Sequence, residues 1–155
     1  MKERNSPIQK GESADDFTLK DQDGKEFKLS DFKGKKVLLS FHPGAWTGVC
    51  AEQMKSLEDN AAAFASLNTI AVGISIDTIP SKKAWAESLG IKETRLLSDS
   101  WPHGAVSKLY GLFQENNGLS QRANVVIDEN GKVIFVKVYP TSQLPDIQEV
   151  IQALK

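Results

Sequence analysis

Cysteine is nearly absent from the sequence, which has a single example, Cys50, in 155 residues. One thiol cannot close an intramolecular disulfide, form a Cys-x-x-Cys redox pair or assemble a cysteine-rich zinc site. Stability must then come from a hydrophobic core. The length suffices, because a domain of roughly 150 residues buries about 68–70% of the surface that its unfolded chain exposes. We therefore expect residues 1–155 to form one domain with no bound metal and no other cofactor.

An excess of charge and a long apolar run are also missing. The chain has 19 lysines and arginines against 20 aspartates and glutamates, a net charge of −1, which does not fit a nucleic-acid-binding surface. No apolar run approaches the ~20 residues that cross a bilayer, and residues 1–13 lack the apolar stretch of a secretory signal. We expect a cytoplasmic protein in a reducing compartment, with no nucleic-acid or membrane partner.

Hydrophobic periodicity divides the first half of the chain into strands and helices. Alternating residues around Asp23-Gly24 predict a β-hairpin, and a nearly continuous apolar run predicts a strand buried on both faces. The predicted elements are a hairpin within residues 16–29, a strand over 37–41, a helix from 47 to about 67, a strand over 69–76, and a helix over 81–89 that stops at Gly90.

The second half predicts antiparallel strands after the parallel unit. A short extended segment over 95–97 and a helix over 101–110 precede two strands, 123–127 and 132–138, which the Asn130-Gly131 step joins in a tight hairpin. A last helix covers about 144–154. The order β-α-β followed by β-β-α predicts an α/β, thioredoxin-like three-layer fold with a central mixed β-sheet and an N-terminal β-hairpin.

The segment from Phe41 to Cys50 carries the most chemical information. It leads the thiol from the end of a buried strand to the start of a helix, with Thr47 as the predicted N-cap. Cys50 then falls in the first turn, where free backbone N–H groups and the positive end of the helix dipole favour a thiolate. Pro43 stiffens and shields the approach to this turn.

The spacing Pro43-x-x-x-Thr47-x-x-Cys50 resembles the active-site loop of the peroxiredoxins. In that family an arginine just before the late strand completes the site, and here it is Arg122. The resemblance implies a thiol-dependent peroxidase with Cys50, Thr47, Arg122 and Pro43 as its catalytic residues. Other landmarks of the family follow in order along nearly the whole chain, at residues 11–17, 97–99, 110–111 and 125–131.

The resemblance also implies a division of labour. Cys50 attacks hydrogen peroxide or an organic hydroperoxide and becomes a sulfenic acid, while the Thr47 hydroxyl and the first-turn amides hold the peroxide oxygens. Arg122 stabilises both the thiolate and the developing charge on the leaving oxygen. Since the chain has no second cysteine, an external thiol must complete the cycle: thioredoxin, glutaredoxin or a low-molecular-weight thiol. A homodimer is the assembly that the resemblance implies.

The sequence departs from the family pattern at two positions. Asp15 stands where the family usually has proline, and Gln53 stands three residues after the cysteine, where glutamate is common. Gln53 can still donate and accept hydrogen bonds. Neither position is one of the four expected catalytic residues.

Simpler interpretations of the same residues stay open at this point. Cys50 can be a small buried hydrophobe, Thr47 only a helix cap, and Arg122 a surface ion pair. We interpret His42 and His103 as structural, because they lie far apart without a carboxylate at ligand spacing.

Trp46 and Trp101 can wall a pocket or fill the core or an interface. The alternative function is a redox sensor or binding protein that relays oxidation to a partner. A thiol–disulfide oxidoreductase ranks third, since the Cys-x-x-Cys pair is missing.

Overall fold

The computed structural model describes residues 4–155, and its N-terminal hairpin confirms the prediction from the Asp-Gly turn. Strand β1 (Thr18–Lys20) pairs antiparallel with β2 (Glu26–Lys28), and Leu19 lies opposite Phe27. Gly24 has a φ of 76° in the turn, a conformation that glycine adopts without steric cost. A short 3₁₀ helix, Leu29–Phe32, follows the hairpin.

The main sheet is mixed, as predicted, and has seven strands in the order β2-β1-β5-β4-β3-β8-β9. Its three central strands run parallel, whereas β8 and β9 pair antiparallel at one side and the hairpin pairs antiparallel at the other. Two short strands, β6 and β7, pair only with each other. In chain order, the strands after the hairpin are β3 (Lys36–Phe41), β4 (Thr69–Ser75), β5 (Arg95–Ser98), β6 (Phe113–Gln114), β7 (Leu119–Ser120), β8 (Arg122–Ile127) and β9 (Val133–Tyr139).

Helices cover both faces of the sheet and give the predicted three layers. Successive residues of a strand point to opposite faces, so Leu38 packs against α1, α2, α3 and α5, while Leu39 packs on the side of α4 and the N-terminal segment. The helices are α1 (Gly48–Asp59), α2 (Ala61–Ser66), α3 (Ile79–Leu89), α4 (Ala105–Leu109) and α5 (Ile147–Leu154). Within residues 4–155, no helix is long and apolar enough to cross a membrane.

Three predicted helices differ from the observed ones. The last helix begins at Ile147 and not at about 144, because the Asp146 carboxylate accepts from the Gln148 amide and caps the helix there. The helix predicted from 47 to 67 is two helices, because Asn60 (φ −105°, ψ 13°) leaves helical geometry and its side-chain amide donates to the Ser56 carbonyl. The helix predicted over 101–110 is only α4, since Gly104 before it has the left-handed φ of 69°. The β6–β7 hairpin has no counterpart among the predicted elements.

Candidate active site

Alternating polar residues on two neighbouring strands mark the site. Ser40 in β3 pairs with Asn124 in β8, and the next residues of the same parity are His42 and Arg122. All four are buried. Leu38, two residues before Ser40, packs in the cluster that contains Cys50. Because side chains alternate between faces along a strand, these polar groups lie beneath α1 at one end of the sheet.

Cys50 is the third residue of α1, which confirms the predicted first-turn position. Its side chain is fully buried. The Arg122 Nη1 group donates to Cys50 Sγ with an N···S distance of 3.2 Å. Arg122 therefore presents a charged hydrogen-bond donor to the sulfur.

The other donors of Arg122 fix its direction. Nε and Nη2 both donate to the Thr141 carbonyl, at 3.1 and 2.9 Å, and Nη1 also donates to Gln53 Oε1 at 2.7 Å. Among the described residues, no carboxylate oxygen lies within 4.0 Å of this guanidinium. A buried charge needs a counter-charge, and the Cys50 thiolate is the group in hydrogen-bond contact that can supply one.

Gln53 connects the arginine to the sheet. Its Nε2 donates to Ser40 Oγ at 2.7 Å and to the Phe41 carbonyl at 3.2 Å, while the Ser40 hydroxyl donates to Asn124 Oδ1 at 2.8 Å. These contacts orient the amide so that its oxygen faces Arg122. The network was not predicted, although a Ser and an Asn inside two apolar strands were a usable signal.

The loop before α1 is held by contacts from α3 and from the end of β4. Trp46 has a φ of 70°, a strained left-handed conformation for a bulky residue. Its indole Nε1 donates to Ser81 Oγ at 3.0 Å, and the Ala45 amide donates to Asp77 Oδ2 at 2.7 Å. The loop therefore has a defined shape where it leads into α1.

Thr47 is the N-cap residue of α1 by position, as predicted, but its side chain makes no capping hydrogen bond. The hydroxyl lies 3.4 Å from the Gly44 carbonyl and is exposed. The expectation of a capping contact is thus wrong, because the hydroxyl points back along the loop. Pro43 is buried directly before this loop.

The two tryptophans singled out in the sequence are not core residues. Trp46 is 56% exposed and Trp101 is 85% exposed, whereas the buried indole is that of Trp85 on α3. The core alternative for Trp46 and Trp101 is therefore excluded.

The two histidines have separate surroundings. His42 is buried, with Nδ1 3.3 Å from the Ser40 carbonyl and Nε2 3.1 Å from Lys82 Nζ. Burial lowers the pKa of His42 well below its usual value, and the charges of Lys82 and Arg122 lower it further. His103 Nε2 lies 2.8 Å from the Gly118 carbonyl. Over residues 4–155, no three His, Cys, Asp or Glu side chains are grouped as metal ligands.

The two departures from the family pattern lie in different places. Gln53 is part of the site, while Asp15 has contacts on the side of α4. The Asp15 carbonyl accepts from Tyr110 Oη at 2.7 Å, and its carboxylate lies 3.5 Å from Arg4 Nη2.

Comparisons with known proteins agree with this geometry. Residues 10–136 match the model of the AhpC/TSA family. Alkyl hydroperoxide reductase E from Mycobacterium bovis is 39% identical over 137 residues, which are 88% of this chain and 89% of that protein. Thiol peroxidase from Staphylococcus saprophyticus is 31% identical over 153 residues, covering 97% and 90%. A crystal structure of a peroxidoxin from Mycobacterium tuberculosis has a TM-score of 0.83 at 29% identity, covering 95% and 96% of the two chains.

Proposed function

This chain belongs to the AhpC/TSA family of peroxiredoxins, and we propose that it reduces hydroperoxides at Cys50 with electrons from an external thiol. The observation that carries the proposal is the 3.2 Å contact between Arg122 Nη1 and Cys50 Sγ at the start of a helix. The proposed unit is the whole chain, residues 1–155, as one domain.

The proposed reaction oxidises Cys50 by two electrons. The thiolate attacks one peroxide oxygen, so that an S–O bond forms while the O–O bond breaks. Cys50 becomes a sulfenic acid, and the other oxygen takes a proton from solvent and leaves as water or an alcohol. The thiol of Cys50 is the one group of the protein that is oxidised in this reaction.

Acidity alone does not make a thiol a fast peroxidase. A thiol whose pKa falls from about 8.5 to about 6 gains roughly thirtyfold in thiolate at neutral pH. With a Brønsted slope of about 0.45, it loses roughly thirteenfold in intrinsic nucleophilicity. Since the net gain is only two- to threefold, most of the acceleration must come from aligning the peroxide and stabilising its leaving oxygen.

Three residues around Cys50 have contacts that suit those tasks. Arg122 points a cationic N–H at the sulfur and can also stabilise negative charge on the departing oxygen. The exposed Thr47 hydroxyl is free of a capping bond and can contact a bound peroxide. Pro43, buried at the start of the loop, limits the access of water. We assign catalytic roles to these three residues and to Cys50.

The second half of the cycle needs a thiol from outside the chain. That thiol attacks the sulfenic sulfur to give a mixed disulfide and water, and a second thiol then releases Cys50. Thioredoxin, glutaredoxin and low-molecular-weight thiols are the proposed donors. A reducing compartment such as the cytoplasm is part of the proposal, because those donors must be kept reduced. A homodimer is the proposed assembly, which sedimentation of the purified protein tests.

Equimolar hydrogen peroxide, followed by a sulfenic-acid trap and mass spectrometry, tests the first half of the cycle. The native protein should gain one trapped adduct at Cys50, Cys50→Ser should gain none, and Arg122→Ala should react much more slowly. A Cys50 that stays a thiol would overturn the proposal.

Turnover with each donor separates the peroxidase from the alternative of a redox relay. A peroxidase consumes excess peroxide with at least one of the three donors. Oxidation of Cys50 without turnover by any donor supports the relay.

A further inference from the structure

A second basic side chain lies buried beside the site without a role in the proposed chemistry. Lys82, on the inner face of α3, is fully buried. The one hydrogen bond of its Nζ within the described residues joins it to His42 Nε2 at 3.1 Å. No carboxylate oxygen of residues 4–155 lies within 4.0 Å of it. Burying an ammonium is costly, so this position calls for an explanation.

The surroundings of Lys82 connect it to Cys50. His42 follows β3 directly and precedes Pro43, and its Nδ1 faces the Ser40 carbonyl. The proton therefore belongs on Nδ1, which leaves the Nε2 lone pair to accept from Lys82. One turn further along α3, Trp85 packs in the same hydrophobic cluster as Cys50. Lys82 therefore contacts the end of the strand that begins the active-site loop, on a helix that shares a hydrophobic cluster with Cys50.

We propose that Lys82 is a positioning residue of the site: bound to His42, it brings a second cation to the buried side of Cys50 and favours the thiolate. This inference rests on the proposed role of Cys50 as the reactive thiol. Lys82 touches neither the sulfur nor a substrate, so its action is electrostatic and runs through the low-dielectric interior.

The charges that surround Lys82 determine how the effect depends on pH. Burial lowers the pKa of Lys82 to about 7, and negative charges from three elements oppose that shift, at Asp77 after β4, Cys50 on α1 and Asp99 after β5. His42 stays neutral, because burial and the charges of Lys82 and Arg122 lower its pKa. Below pH 7 Lys82 therefore carries a proton and supports the thiolate, and above pH 7 it loses the proton and that support disappears.

The ultraviolet absorbance of the thiolate, followed against pH, tests the proposal without peroxide. Removing a cation from the low-dielectric surroundings of a thiol disfavours the thiolate. We expect Lys82→Met to lower the ionisation constant of Cys50 by roughly tenfold, which is the low end of the effect of a nearby opposite charge. Lys82→Arg keeps the positive charge. Its Cys50 ionisation constant should lie within about threefold of that in the native protein, or the variant should hold more thiolate at alkaline pH. Cys50→Ser gives the baseline, and circular dichroism checks folding.

Carbon-13 NMR of ε-labelled lysine supplies an independent measurement. One lysine should titrate near pH 7, and its signal should be missing from Lys82→Met. Because linkage is reciprocal, Cys50→Ser should make the same lysine release its proton at lower pH. The comparison of the native chain with Cys50→Ser needs no Lys82 variant. Where Lys82→Met does not fold, titration near pH 7 identifies the lysine.

Several results would overturn the inference. Folded Lys82→Met could ionise its thiol like the native protein, or Lys82→Arg could be as damaging as Lys82→Met. The lysine that titrates near pH 7 could also release its proton at the same pH in Cys50→Ser as in the native protein. Each of these is distinct from a failure of the proposed function, in which Cys50 ionises as described but is not oxidised by peroxide.

Discussion

Gln53→Glu places a carboxylate where a neutral side-chain amide now accepts from Arg122. Gln53 Oε1 accepts from Arg122 Nη1 at 2.7 Å, and the same nitrogen donates to Cys50 Sγ at 3.2 Å. A glutamate there keeps the contact with Arg122 and stays ionised because of it. The carboxylate then competes with the thiolate for one buried cation and repels it.

The size of that repulsion follows from the two distances. Since Sγ and Oε1 lie 3.2 and 2.7 Å from the same nitrogen, they can be no more than 5.9 Å apart. Two unit charges at that separation repel by about 2.8 kcal/mol at an effective dielectric constant of about 20. At 1.36 kcal/mol for each tenfold change, the ionisation constant of Cys50 should fall by about 100-fold.

A pH titration of the thiolate absorbance measures this change directly. Gln53→Met is the matched control, because it loses the same donor bonds to Ser40 Oγ and the Phe41 carbonyl without adding a charge. We expect Gln53→Met to change the ionisation constant much less than Gln53→Glu. If folded Gln53→Glu titrates within threefold of Gln53→Met, Arg122 is not the counter-ion on which the thiolate depends.

Three further predictions concern the loop, a turn and acid stability. Thr47→Val should slow oxidation of Cys50 by peroxide, relative to Thr47→Ser, yet leave the free energy of unfolding within about 0.5 kcal/mol, because the hydroxyl makes no capping bond. Gly104→Ala should lower the free energy of unfolding by about 2–4 kcal/mol in denaturant titrations, since the new Cβ would lie 2.4 Å from the Phe113 ring. Gly90→Ala is the control: Gly90 has a similar φ of 70° but lies in open space, so the substitution should lower the free energy of unfolding by only about 1 kcal/mol. Burial raises the pKa of Glu58, but the amides of Lys92, Glu93 and Thr94 lower it to a net value below the usual one. The contribution of Glu58 to the free energy of unfolding is therefore present above the usual pKa and is lost as the pH falls through the lowered one. Glu58→Gln should destabilise the protein at neutral pH, and progressively less as the pH falls below the usual carboxyl pKa.

Local sequence signals were sufficient to predict most of the strands. Turn residues such as Gly24 and Gly131 need positive φ and mark the two hairpins. The apolar run of β3 correctly predicted a strand buried on both faces. The pairing of the N-terminal hairpin with β5 was not predictable in this way, because one register contact, between Lys20 and Ser98, joins segments that lie about half of the chain apart.

The helical errors have a common physical origin. Periodicity detects an apolar face but not the point at which the axis turns. The apolar pattern continues through Asn60, where a side-chain hydrogen bond to Ser56 ends α1. Before α4, the close approach of Phe113 requires a glycine at position 104, and that contact comes from a later hairpin. The end of α1 is set by a local side-chain hydrogen bond that periodicity does not register, whereas the start of α4 is set by a tertiary contact that a local window could not place.

Some features of the site follow from the local sequence, and others depend on contacts between distant parts of the chain. The position of Cys50 in the first turn of α1 follows from its own segment and was predicted. The Lys82–His42 contact joins residues 40 positions apart and has no local signature. The role of Gln53 depends on which strand lies below α1, so its partners Ser40 and Arg122 could not be assigned from spacing.

The contact of Arg122 with the sulfur depends on the antiparallel pairing of β3 and β8. That pairing brings the last residue of β3, Phe41, opposite Ala123, so the chain leaves β3 for the Cys50 loop where β8 begins at Arg122. A parallel partner would put the start of β8 at the far end of the sheet. A slip of one residue would turn Arg122 to the α4 side. Sheet topology therefore places a cation 72 positions away in sequence against the only thiol of the chain.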